Sequence, residues 1–194
     1  MLLILSLFSL QLRVALPDSI TVESKHRVYR FTAPCDVTRE DFRNFTYFSG
    51  EWMGYSRPTP PLRVRGGAYH FGGSGDFEDL TIKGVWHPPG DPSSAIVSLL
   101  HSYGGGSSNQ ELVVMVFRCV DGKLTNTQLI HGDGHGGDAG VFLSADGSQM
   151  TMRSVSDYSQ GHCCPKYQQT ANFVWRRGKY ALTGTTQSEI PYPR

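Results

Sequence analysis

Short apolar runs recur along this chain, starting roughly every 10–15 residues and divided by glycine turns. Leu80 to Trp86 alternates apolar with polar residues. Ala95 to Leu100 is a short apolar run that enters Tyr103-Gly104-Gly105-Gly106. Leu112 to Val120, centred on Val113-Val114-Met115-Val116-Phe117, has the unbroken apolar character of a strand buried on both faces. Asp121-Gly122 is a tight-turn signal leading into Leu124 to Ile130, and Asp146-Gly147 is a second one between Val141 to Leu143 and Gln149 to Val155. Gln169 to Trp175 meets Tyr180 to Thr186 through Arg176-Arg177-Gly178-Lys179. Earlier in the chain, Leu62 to Val64, Gly66-Gly67 and Ala68 to Phe71 read as a further hairpin. Runs of this length and spacing predict a mainly β fold, or a β-rich α+β fold. Its strands form an antiparallel sheet that is curled or packed as a sandwich.

Two stretches depart from that pattern. Thr38 with Asp41 three residues on resembles a capping box, and Phe42 and Phe45 follow, so one short N-terminal helix is expected over about residues 38–46. Met53 to Pro61 is aromatic and proline-rich, which suits an ordered loop. Residues 17–34 are mixed in character and expected to be extended. Charged residues make up 18% of the chain and the net charge is +1, so nothing electrostatic favours nucleic acid or an anionic membrane surface. The 194 residues suit a single domain with a real core.

Leu2 to Leu12 reads LLILSLFSLQL, too short for a spanning helix and about right for the apolar part of an export signal. We therefore expect residues 1–16 to be a signal peptide and 17–194 to be one β-rich domain, secreted or periplasmic, with no transmembrane segment. Two details are atypical: no Lys or Arg precedes the apolar run, and Arg13-Val14-Ala15-Leu16-Pro17 offers no small-x-small cleavage site. Export would place Cys35, Cys119, Cys163 and Cys164 in an oxidising compartment.

Four cysteines allow three full pairings: Cys35–Cys119 with a vicinal Cys163–Cys164 bond, or Cys35 and Cys119 joined separately to the adjacent pair. Disulfides that staple loops to the sheet are the expected role. Thiol redox chemistry at Cys163-Cys164 is the competing one, although catalytic pairs are usually separated by two residues. A second constellation is His131-Gly132-Asp133-Gly134-His135-Gly136-Gly137-Asp138. His131, Asp133, His135 and Asp138, with His162 near the cysteines, are ligand types for a divalent metal, while the glycines read as a solvated connection. Asp76-Phe77-Glu78-Asp79 reads as a solvated acidic turn, and Tyr103 to Ser108 as a hairpin loop rather than a phosphate loop. Trp52, Tyr55 and Trp86 are candidates for an aromatic ligand surface, or for burial against the sheet. Asn44-Phe45-Thr46 is a glycosylation sequon. No nucleophile elbow or HExxH motif occurs.

The layout resembles the LppP/LprE-type group of bacterial exported lipoproteins. The resemblance runs over residues 38–184 or so, through Asn44-Phe45-Thr46-Tyr47, the Arg65 to Tyr69 turn, Ile96 to Gly106, Leu112 to Phe117, and Cys163-Cys164-Pro165 through Trp175 to Gly178. It implies an envelope or extracellular location and a β-rich build, and brings no activity with it. No cysteine falls in the first 34 residues to carry a lipid, and Trp86 to Asp91 replaces an acidic glycine-rich segment that the group often has. Together these features predict a non-enzymatic binding or accessory module whose partner is a protein or small ligand of the cell envelope. The alternative is a metal-binding protein or metal-dependent hydrolase built on residues 131–138.

Overall fold

The computed structural model describes residues 15–30, 35–53, 60–73, 77–104, 109–135, 138–157 and 164–191. Twelve strands occur among them, all paired antiparallel. They are β1 (Ile20–Arg30), β2 (Thr46–Tyr47), β3 (Leu62–Arg63), β4 (Ala68–Gly72), β5 (Phe77–Trp86), β6 (Ser94–Gly104), β7 (Asn109–Val120), β8 (Lys123–Asp133), β9 (Gly140–Leu143), β10 (Gln149–Ser156), β11 (Tyr167–Arg176) and β12 (Lys179–Glu189). A six-stranded sheet runs β1-β8-β7-β6-β5-β4, a four-stranded sheet β12-β11-β10-β9, and β2 pairs with β3. Nearly every neighbour in the two main sheets is the next strand in sequence, as tight turns dictate. Asp121 and Gly122 both have positive φ, 49° and 74°, the conformation that an Asp-Gly hairpin turn requires.

Strand alternation sends side chains to both faces of the larger sheet, and each face has its own core. Ile96, Leu112, Val114, Val116 and Ile130 pack against Met150, Met152, Ala171, Phe173 and Tyr180 of the four-stranded sheet. Val97, Leu99, Val113, Met115, Phe117 and Leu129 point the other way, beneath a cover formed by Val37, Phe42, Phe45, Tyr47, Trp52, Leu62 and Val64. The fold is therefore a sandwich with a third, irregular layer. Burial on both faces explains why the centre of β7, residues 112–117, is an unbroken apolar run. The sheets are also joined by polar groups. The Gln128 side-chain amide donates to the Tyr180 carbonyl at 2.9 Å and accepts from its N–H at 2.8 Å. The Ser154 hydroxyl reaches the Asp133 carbonyl at 2.8 Å.

The helix expected over 38–46 does not form; two 3-10 turns, Val37–Arg39 and Phe42–Asn44, replace it. Asp36, not Thr38, caps the first turn, accepting from the Thr38 N–H at 3.0 Å. Glu40 is extended, which breaks the segment. The Asp41 carboxylate turns forward to the Arg43 N–H and the Asn44 amide instead of back to Thr38. Phe42 and Phe45, three residues apart, then both enter the core. The hairpin expected between 62–64 and 68–71 is also replaced. β3 pairs with β2, β4 pairs with β5, and a single Arg65–Ala68 bridge remains. Phe77, Glu78 and Asp79 are not a solvated turn but the start of β5. The N-terminal apolar run, Tyr55, His162 and Cys163 lie outside the described residues.

Candidate functional site

Cys35 and Cys119 form a disulfide, with Cα atoms 5.8 Å apart. It ties the covering layer to the end of β7, and it rules out the pairings that join these two residues separately to Cys163 and Cys164. Of the two readings of Trp52 and Trp86, burial against the sheet is the one that holds; no shared aromatic surface assembles from the described members. Trp52 is buried in the covering layer, whereas Trp86 packs on the opposite face of the larger sheet. The Trp86 ring lies across Gly84, where a Cβ would stand 2.0 Å from its Cη2 atom. Asn44 of the sequon is engaged at both ends of its amide, donating to Asp41 at 2.7 Å and accepting from the Gly66 N–H at 2.9 Å.

The histidine loop is partly strand. His131 and Asp133 belong to β8 and share one face of it, as an extended segment requires. They do not converge. His131 sits between two glutamates of neighbouring strands, 3.6 Å from Glu23 and 3.9 Å from Glu111. Asp133 instead meets His135, accepting from its backbone N–H at 2.8 Å with the ring Nδ1 3.2 Å from the same oxygen, so the structure brings together only this pair of the predicted ligands among the described residues. Asp138 is exposed in the turn that follows. Among the described residues no three His, Cys, Asp or Glu side chains gather as a set that could hold a metal ion.

Cross-strand register extends the row to which His131 belongs. Glu111 lies opposite His101, and Leu80, two residues after Glu78, lies opposite His101 on the other side. Glu23, His131, Glu111, His101 and Glu78 thus span five adjacent strands on the covered face of the sheet. His101 is fully buried. Its Nδ1 accepts from the Trp52 indole at 3.1 Å and its Nε2 is 3.0 Å from Glu78, which fixes the neutral tautomer with the proton on Nε2. The Tyr103 ring stacks on the imidazole at 5.0 Å. Burial pulls the His101 pKa below its ordinary value, against the opposing pull of Glu78. With both nitrogens bonded, His101 orders the edge of the covering layer and has no ring nitrogen left for a substrate.

A second polar cluster centres on Glu51. Glu51, on the third 3-10 turn (Ser49–Glu51), accepts from the Tyr29 hydroxyl and from the Asn126 amide at 2.9 Å, with Arg27 Nε 3.3 Å away. Desolvation raises the Glu51 pKa in spite of these donors. Arg27 lies over the Phe48 ring at 3.7 Å. Asn126 Oδ1 is buried without a hydrogen-bond partner among the described residues.

A different place offers room. The edge strand β9 leaves part of β5, β6 and β7 uncovered, and a cleft of about 320 Å³ opens there. Leu100, Leu112, Ala139, Val141 and Phe142 give it an apolar lining, with Ser98, Gln110 and Lys83 as its polar groups. Phe142 is half-exposed, and the Arg153 guanidinium lies 5.0 Å from its ring centroid. An open apolar cleft with a few polar groups is the form that small-ligand sites take.

No family model, curated protein or solved structure matches this chain. The cleft and the two buried clusters therefore have to be interpreted from their own chemistry. Sequence reasoning missed all three. His101 and Glu51 carried a usable signal, an ionisable residue beside apolar runs. The cleft carried none, because β5, β6, β7 and β9 each contribute only a few residues to it.

Proposed function

We propose that this chain is an exported, non-enzymatic binding module of the cell envelope or extracellular space, and that its ligand is a small molecule held in the cleft beside β9. The cleft carries the proposal: it is open, apolar, and has the size of a small-molecule site at about 320 Å³. The two histidines of the polar row support a framework role. His101 is committed to Trp52 and Glu78, and His131 lies between two carboxylates. The Cys35–Cys119 bond and the apolar N-terminal run support export. Among the described residues no helix is long and apolar enough to cross a membrane.

The test is a small-molecule screen by thermal shift on the purified protein, repeated on Val141→Trp, whose larger side chain fills the cleft. Ligands that stabilise the parent protein are expected to lose their effect on the variant. Ligands that bind both proteins equally would place the site elsewhere. Expressed with its N-terminal residues in a bacterial host, the protein is expected in the exported fraction with the Cys35–Cys119 bond formed. Retention in the cytoplasm would overturn the export half of the proposal.

A further inference from the structure

Among the described residues the cleft has one charged lining residue, Lys83, and no acidic one. Among the described residues no carboxylate pairs with Lys83, so its ammonium is available to a ligand. A second cation, Arg153, lies against the exposed Phe142 but does not itself line the cleft. The floor beyond them is hydrocarbon: Leu100, Leu112 and Val141. Ser98 and Gln110 add neutral polar groups. A site with a cation in its lining and an aliphatic floor complements a molecule with an anionic head and an apolar tail. A cationic ligand would meet only repulsion from Lys83, and a neutral one would leave that charge unused.

The volume sets how much of the tail the cleft can cover. At about 30 Å³ for each water-sized group, 320 Å³ holds roughly ten non-hydrogen atoms. From this charge pattern and this size we infer that the ligand is a short amphipathic monocarboxylate, with its carboxylate toward Lys83 and its aliphatic or aromatic body on Leu100, Leu112 and Val141. This inference rests on the cleft being the ligand site, and the experiment separates the two.

The experiment is a protein-observed NMR titration of the ¹⁵N-labelled protein with octanoate, octanol and octylammonium, three probes of the same chain length. It is repeated on Lys83→Met, which retains the aliphatic stem and removes the charge. Octanoate is expected to shift the amides of Leu112, Gly134 and Val141, and to bind about three- to tenfold tighter than octanol, the range for one partly exposed charge-assisted hydrogen bond. Octylammonium is expected to bind most weakly, and Lys83→Met to bring octanoate and octanol together. If octanol binds these amides as tightly as octanoate, or the preference survives Lys83→Met, the ligand class is wrong and the cleft remains a site. If no probe shifts the cleft amides, the site itself is wrong.

Discussion

Removing the Glu51 side chain should cost this protein a large part of its stability, while Glu51→Gln should cost little. Glu51 accepts from two donors in the interior, the Tyr29 hydroxyl and the Asn126 amide. Ala at this position leaves both without an acceptor, at about 1–3 kcal/mol each. The loss of Arg27's partner adds little, because Arg27 is 43% exposed and an ion pair there is worth under about 1 kcal/mol. Glu51→Ala should therefore cost about 2–6 kcal/mol, against a total stability of about 5–15 kcal/mol for a domain of this kind. Gln can still accept from Tyr29. Its own amide can donate to Asn126 Oδ1, which has no partner among the described residues, once the Asn126 amide turns over. Its cost should stay within about 1 kcal/mol. The two variants should also differ from the parent in pH dependence. Burial raises the Glu51 pKa above 4.5, so the folded state holds this proton more tightly than the unfolded state does. The associated stability is fully present below pH 4.5 and is lost as pH rises through the folded-state value. Relative to Glu51→Gln, the parent should weaken over that window. The assay is equilibrium urea unfolding followed by tryptophan fluorescence at several pH values. Equal costs for Ala and Gln, a cost below about 1 kcal/mol for Ala, or parallel pH profiles for parent and Gln would each refute this account of the cluster.

Cys35→Ser with Cys119→Ser should lower stability by about 4–5 kcal/mol, the chain-entropy value for a loop of this length, given a sequence separation of 84; urea midpoints of the oxidised parent and the variant check it. Gln128→Leu should cost about 2–6 kcal/mol by leaving both the N–H and the carbonyl of Tyr180 unpaired between the sheets; an unchanged thermal midpoint would show that the polar link between the sheets is dispensable. Burial lowers the His101 pKa from 6.5, so the unfolded state takes up a proton first as pH falls, and stability is lost below about pH 6.5. His101→Gln can meet the same two partners without titrating and should flatten that decline; unfolding curves at pH 7.5 and 5.0 that shift equally for both proteins would count against it.

Much of the sandwich was legible because its strands are joined by turns that the sequence spells out. Asp121-Gly122 and Asp146-Gly147 mark hairpins in the predicted places, and the unbroken apolar run around Met115 belongs to the strand covered on both faces. The covering layer was not legible. Thr38 and Asp41 have the spacing of a helix cap, but the choice between one helix and two 3-10 turns was made by Phe42 and Phe45 packing beneath the cover and by side-chain bonds from Asp36 and Asp41. Glu78 has acidic neighbours and so resembles a surface turn. Its bond to His101 across the strand pair becomes visible only with the register. The cleft depends on where β9 ends relative to β5 and β6, a relation between strands distant in the chain.

The pairing of β1 with β8 has a consequence for how the molecule assembles. Most other neighbours in the two main sheets can close as local hairpins, at the rate of short-range contacts. Ile20, however, meets Gly132, and β1 reaches β8 only across roughly a hundred residues, which makes that closure the slow step. In synthesis from the N-terminus, β1 precedes all the other strands and can dock only once β8 has emerged. Until β8 is complete the chain carries an eleven-residue strand with no partner. During that interval the nascent protein is open to pairing with another chain or to capture by a chaperone.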